Sequence, residues 1–312
     1  MGNAVKLHLA ALCFLLPLSA AAQGRPPDTG ATAASGPAAL RPPKPAASLG
    51  ASFSYAAPAG LISRRTGVSG ETALGTAAGF SLRAAADLAH LRNIAAGDFP
   101  GELYRVGLKL TAEKGETRLA LNLNSNSDRP FHSPSETDLG LNFMALLSEN
   151  NGSAWLWGLN YSTRRSFLRG MPLPFITYRY TSRNLMVALP FIIRWQAGRT
   201  LALSASYVPV KYFKAGLSWR PRPFLRAELE GGTALEQFLP AGRSDKGRAL
   251  FYEASYLSLK PSLAFSRNFE ITPALGWQFG GLYYTGGRYD EYIGKTRLRG
   301  GPSFGLSTKY SF

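Results

Sequence analysis

In run after run along this chain, apolar side chains recur at every second position. The last run shows it plainly. Phe304, Leu306, Thr308, Tyr310 and Phe312 share one parity, and Ser303, Gly305, Ser307, Lys309 and Ser311 share the other. A period of two places each set on one face of a β-strand. Tyr104, Val106, Leu108 and Leu110 form such a run, and Leu119, Leu121 and Leu123 return from it after a turn at Glu113-Lys114-Gly115. A second hairpin joins Leu139–Leu147 to Trp155–Tyr161 through Asn150-Asn151-Gly152, and Asn-Gly between alternating runs is a strong hairpin signal. The pattern predicts an all-β protein. A soluble sandwich or a lipocalin-like barrel would turn its apolar face inward. A membrane barrel would turn it outward.

The start of the chain favours export. Lys6 and His8 precede an apolar run from Leu9 to Leu18, and Ala20-Ala21-Ala22 before Gln23 has the form of a signal-peptidase site. The run is shorter than the roughly 20 apolar residues of a membrane-spanning helix. Residues 1–22 are therefore expected to be a signal peptide. They contain Cys13, the only cysteine. The mature chain then has no disulfide, thiolate chemistry or cysteine-bound metal. Residues 23–47 are rich in Pro, Ala and Gly, without apolar periodicity, and read as a disordered periplasmic tail. Residues 48–312 carry the strands.

An aromatic residue closing an alternating C-terminal strand, as Phe312 does, resembles the assembly signal of Gram-negative outer-membrane β-barrels. The run from Pro172 to Tyr180, followed by Leu189-Pro190, is also similar to a family of uncharacterised outer-membrane barrels, which would supply no function. The resemblance implies recognition of Phe312 by the barrel-assembly machinery and an outer-membrane location in a Gram-negative bacterium. Aromatics at the ends of runs, such as Tyr104, Trp155, Trp195, Trp219 and Phe269, match an interfacial girdle. The expected fold is an antiparallel up-and-down transmembrane barrel of about 12 strands, with 10 and 14 open, because both ends in the periplasm require an even number. Leu201 to Trp219 keeps one parity and can be read as a single strand bent near Pro209. The Ala85–Glu102 segment reads as a connection. Loops after Asn126, Thr233 and Thr285 are expected outside the cell.

The net charge of +16 points to anionic partners. Export disfavours nucleic acid among them and leaves outer-membrane lipids, lipopolysaccharide and small anionic solutes. If the apolar parity faces lipid, the lumen receives Arg105, Lys109, Arg118, Arg179, Arg194, Lys214, Arg226, Lys260 and Lys309. The acids sharing it are fewer, notably Asp138, Glu228, Glu230 and Glu270. Rings of Arg and Lys filter pores for anions, so the leading expectation is a narrow pore for passive passage of small anionic solutes. The alternative is a closed structural or surface-interaction barrel whose lumen is filled by those charges. A lipid-modifying enzyme has one thread, His132-Ser133-Pro134-Ser135-Glu136, which reads as a loop tip instead of a catalytic triad. His90 has no matching partner. No enzymatic activity and no cofactor are expected. No spacing marks a metal centre, and Asp290-Glu291 and Glu149 are too few to make a calcium site.

Overall fold

The computed structural model describes residues 46–95, 99–189, 192–208 and 212–312. Residues 1–22, expected to be a signal peptide, and nearly all of 23–47, expected to be a tail, lie outside these residues. The strands are β1 (Ala47–Ala56), β2 (Leu61–Ala77), β3 (Phe80–Ala95), β4 (Glu102–Lys114), β5 (Thr117–Ser127) and β6 (Asp138–Asn150). Next come β7 (Ser153–Ser162), β8 (Leu173–Thr181), β9 (Leu185–Leu189), β10 (Ile192–Gln196), β11 (Leu201–Val208) and β12 (Tyr212–Arg222). The last are β13 (Leu225–Phe238), β14 (Ala249–Ala264), β15 (Phe269–Gly286), β16 (Ile293–Leu298) and β17 (Gly301–Ser311).

From β1 to β15 each strand pairs antiparallel with the next, and β17 pairs back onto β1, from Ser48 opposite Ser311 to Ala56 opposite Ser303. β16 and β17 occupy one position end to end, one on each half of β15. Among the described residues the wall is therefore a closed ring of 16 strands. This corrects the expectation of about 12. β2 carries no clear alternation in the sequence, because Arg64, Thr66, Gly70 and Thr72 dilute its apolar face. Leu185–Trp195 is two strands, with Ile192 opposite Ala188. Leu201–Trp219 is also two, with Leu201 opposite Trp219. The segment read as a connection after Ala85 is mostly strand, since β3 runs on to Ala95.

The ring has two unlike ends. At the proximal end the Phe312 N–H donates to the Ala47 carbonyl at 2.9 Å. The turns there are short. Ala78-Gly79 and Asn151-Gly152 both have positive φ at both residues, the requirement of the two-residue hairpin turn. The distal end carries the longer segments 128–137, 163–172, 239–248 and 287–292. The loops expected after Asn126, Thr233 and Thr285 lie at this end.

Apolar side chains point away from the ring. Leu49, Phe53, Leu108, Trp155, Trp195, Trp219, Leu275, Trp277 and Phe312 are all exposed on its outer face. A closed hydrogen-bonded ring with an apolar exterior leaves no backbone edge to solvate, which is what a bilayer demands of strands. This is the architecture of an outer-membrane β-barrel.

One sector leaves the wall. β13, β14 and β15 are 14, 16 and 18 residues long, against 5 each for β9 and β10. Their distal halves bend along one line. Gly231-Gly232 on β13 face Leu257 and Tyr256 of β14, whose register shifts between Ala254 and Tyr256. Gly280 on β15 takes φ +99°, and a Cβ on Gly232 would sit 2.1 Å from the Phe213 carbonyl oxygen. Only glycine tolerates both demands, and bulges sharpen the bend. Beyond this crease β13 reaches β5, where the Leu239 N–H donates to the Asn126 carbonyl at 2.7 Å. The sector thus crosses the distal mouth.

Candidate functional site in the barrel lumen

The lumen is lined differently around its circumference. On β1 and β17 the inward parity is Ser48, Gly50, Ser52 and Ser54 beside Ser303, Gly305, Ser307 and Lys309. These short side chains leave space. At the distal mouth the inward face of the crossing sector presents Phe238, Leu250 and Tyr283. They pack in one buried cluster with Leu298 of the adjoining β16 and with Leu61, Leu91, Phe99 and Leu103 from the β2–β4 side of the wall. The sector's other face is also covered. Phe251 and Tyr284 are fully buried there, with Leu239 and Ala249. The 163–172 segment lies over them: Gln237 Nε2 donates to the Arg164 carbonyl at 3.0 Å, and the Tyr289 N–H donates to the Ser166 carbonyl at 3.2 Å. Arg169 bonds the carbonyls of Gly247 and Gly287 at 2.7 and 3.3 Å.

The register turns every sequence-predicted basic residue toward the lumen, and most meet an acid there. Arg105 on β4 lies 3.4 Å from Glu236 on β13, and Arg65 on β2 lies 2.7 Å from the same carboxylate. Both contacts span the mouth. Lys214 and Lys260 hold Glu230 from two sides at 2.5 and 2.8 Å, and the Tyr256 hydroxyl donates to that carboxylate at 2.9 Å. Arg226 pairs with Glu228 at 2.8 Å, Arg179 with Glu116 at 2.6 Å and Arg118 with Glu113 at 3.3 Å. Lys109, Arg194 and Lys309 have no ion-pair partner among the described residues; Lys309 stands opposite Glu270 in the ladder. Among the described residues most of these lumen charges are therefore neutralised in pairs, while Lys109, Arg194 and Lys309, and the inward carboxylates of Asp87 and Glu270, stand outside any ion pair.

Sequence reasoning missed Arg65, Glu71, Glu116 and Glu236. Two sit on the unrecognised β2, one in a turn and one in a stretch read as loop. A usable signal was present: Glu236 continues the inward parity of Glu228 and Glu230.

The distal segments are tied by charge. Glu136 is fully buried. It accepts hydrogen bonds from the Ser133 and Ser135 hydroxyls and lies 3.1 Å from Arg243 and 3.5 Å from Lys246. Burial pushes its carboxyl up, but the two hydroxyls and the two cations outweigh that and hold it down at about 2. Asp138 accepts from the Ser162 hydroxyl at 2.8 Å and the Arg164 N–H at 2.9 Å, and Asp128 accepts from the Ala241 N–H at 2.6 Å. The hydroxyls of Ser133 and Ser135 are thus directed to Glu136. His132 is exposed and has no side-chain hydrogen bond among the described residues. Among these residues no group of three His, Cys, Asp or Glu side chains could hold a metal ion.

No protein-family model matches the chain, and no curated protein matches it. Among solved structures it is similar to the COG4313 outer membrane channel from Pseudomonas putida F1, at 9% identity over 87% of this chain and 97% of that one, with a TM-score of 0.42. It is also similar to the NanC porin, at 9% identity over 85% and 100% of the two chains, with a TM-score of 0.32. A third is OmpT of Vibrio cholerae, at 10% identity over 85% and 96%, with a TM-score of 0.31.

Proposed function

We propose that this chain is an outer-membrane channel for small solutes, with its proximal end in the periplasm and its distal end outside. The observation that carries this reading is the size and lining of the ring. Barrels of about 16 strands leave an aqueous channel, whereas those of about eight are filled by side chains. The Ser/Gly stave of β1 and β17 supports an open lower lumen. The crossing sector supports a resting state that is shut at the outer mouth. In this reading the sector is the gate and the Arg65–Glu236–Arg105 cluster is its latch. Lys109, Arg194 and Lys309 give the path a modest preference for anions, because only unpaired charge acts on a passing solute.

Planar-bilayer recording tests this. The wild-type protein is expected to pass small, infrequent currents. Glu236→Ala with Phe238→Ala is expected to raise the open fraction, and Lys109→Ser with Arg194→Ser and Lys309→Ser to erase the anion preference. A second reading, a closed structural barrel, is supported by the same ion pairs and apolar cluster across the mouth. Absence of current from correctly folded wild-type and unlatched protein alike would favour it and sink the channel.

A further inference from the structure

The outer face of the barrel carries a cationic patch that the lumen does not explain. On β2 and β3, Arg64 stands directly opposite Arg92, both pointing outward and both exposed. Like charges in direct cross-strand register repel. The acid nearest in the ladder is Glu102 on β4, opposite Arg92, and it approaches His90 at 4.0 Å instead. Neither arginine has an ion-pair partner among the described residues. The patch continues around the rim. Leu298, the last residue of β16, points inward into the buried cluster, so Arg297 before it points outward; Arg297 and Arg299, which follows the strand, are both exposed. The Arg299 N–H donates to the Ala59 carbonyl, which joins this stretch to the turn that leads into β2.

The height of the patch narrows its partner. One level toward the proximal end, the outer face carries Phe53 and the stacked pair His90 and Tyr104, whose ring centres are 4.8 Å apart. Trp277 lies below Gly300, beside Arg299. Aromatic side chains of this kind mark the boundary between acyl chains and head groups. The Arg64 guanidinium lies 6.0 Å from the Tyr55 ring centre at that boundary. The arginines are thus held where head-group phosphates lie, on one side of the barrel. Arg is the side chain best matched to phosphate, through paired N–H donors.

We propose that Arg64, Arg92 and Arg299 form a binding site for the phosphorylated glucosamine head group of lipid A. The inference rests on the outer-membrane reading. Like charges that repel in the empty protein become favourable when an anion lies between them.

The test uses the full-length barrel refolded in neutral detergent, so that it does not depend on where the protein resides in the cell. Native mass spectrometry reads retention of bisphosphoryl lipid A by the wild type and by the Arg64→Ser, Arg92→Ser, Arg299→Ser variant. The expected result is a loss of about tenfold or more, in line with losing charge-assisted phosphate contacts. Dephosphorylated lipid A is expected to bind the wild type no better than it binds the variant. Inorganic phosphate in excess is expected not to displace the lipid; displacement would mean a general phosphate site and overturn the head-group assignment. Equal retention by wild type and variant overturns the site. So does an equal loss on removing Arg199, Arg220 and Arg222 at the proximal end. Heat-modifiable migration checks that each barrel is folded, and Arg→Lys replacements, expected to retain part of the binding, stand in if the serine variant is not. Failure of the outer-membrane reading would show separately, as absence of the protein from outer-membrane fractions.

Discussion

The β1–β17 stave and the β13–β15 sector obey the same alternation and do opposite things. In the stave one face is Ser and Gly and the other is Leu49, Phe53, Leu306 and Tyr310, so one side meets water and the other lipid. In the distal half of the sector both faces carry buried apolar side chains: Phe238, Leu250 and Tyr283 beside the paired Glu236 on one, Phe251 and Tyr284 beside Gln237 on the other. A strand apolar on both sides has to be covered on both sides. It cannot remain in a wall that has lipid on one side and water on the other. The difference teaches that period two assigns faces, whereas the chemistry of each face decides whether a strand stays in the ring.

If the sector is a separate packing unit, damage to it should spare the ring. Phe238→Ala removes a fully enclosed ring from the cross-lumen cluster, at a cost of about 3–5 kcal/mol. Hydrogen exchange should accelerate in the distal halves of β13–β15 while heat-modifiable migration of the barrel is kept. Global unfolding would erase the distinction between the two regions. Glu236→Leu leaves Arg65 and Arg105 without their carboxylate, and loosening of the sector by roughly 3 kcal/mol is expected. Adding Arg105→Leu should restore part of it in a double-mutant cycle, and strict additivity would show that the latch does not couple. Gly232→Val sets a side chain against the Phe213 carbonyl at the crease and should cost about 1–3 kcal/mol. Cross-linking of Asn126 to Leu239, replaced by cysteines, reads whether the sector still reaches β5.

The smallest effect concerns the Glu136 tie. Its carboxyl is depressed in the folded state, so its stabilisation is complete above the ordinary value of 4.5 and is lost as pH falls toward about 2. Exchange in segments 128–137 and 239–248 should rise over that window before the proximal turns respond. In Glu136→Gln the rise should be weaker.

The ring's existence, its lipid face and the inward direction of nine basic residues were legible in the alternation. The strand count was not, for a geometric reason. Residues paired across a hairpin face the same side, so a hairpin whose partners differ by an even number keeps its parity through the turn. Ile192 opposite Ala188 and Leu201 opposite Trp219 are such cases. Each pair of strands therefore imitates one. β2 was lost for the opposite reason, since Arg64 and Thr66 stand where apolar residues would signal lipid. Those same positions belong to the rim patch or lie beside it. The pairing of lumen charges was also hidden, because Arg105 and Glu236 meet only once the sector has folded across.

The seam between β1 and β17 has a consequence for how such a ring is made. Every other wall contact forms between strands adjacent in sequence or, for β15 and β17, separated only by the short β16. The seam joins the two most distant strands, as Ser48 and Ser311 meet, and its loop-closure entropy is the largest in the ring. Until it forms, the sheet has two raw edges, each able to capture any extended chain nearby. The time from the first strand pair to this last one is the interval in which the molecule is most open to aggregation, and the speed of zipping that seam sets the yield of folded barrel.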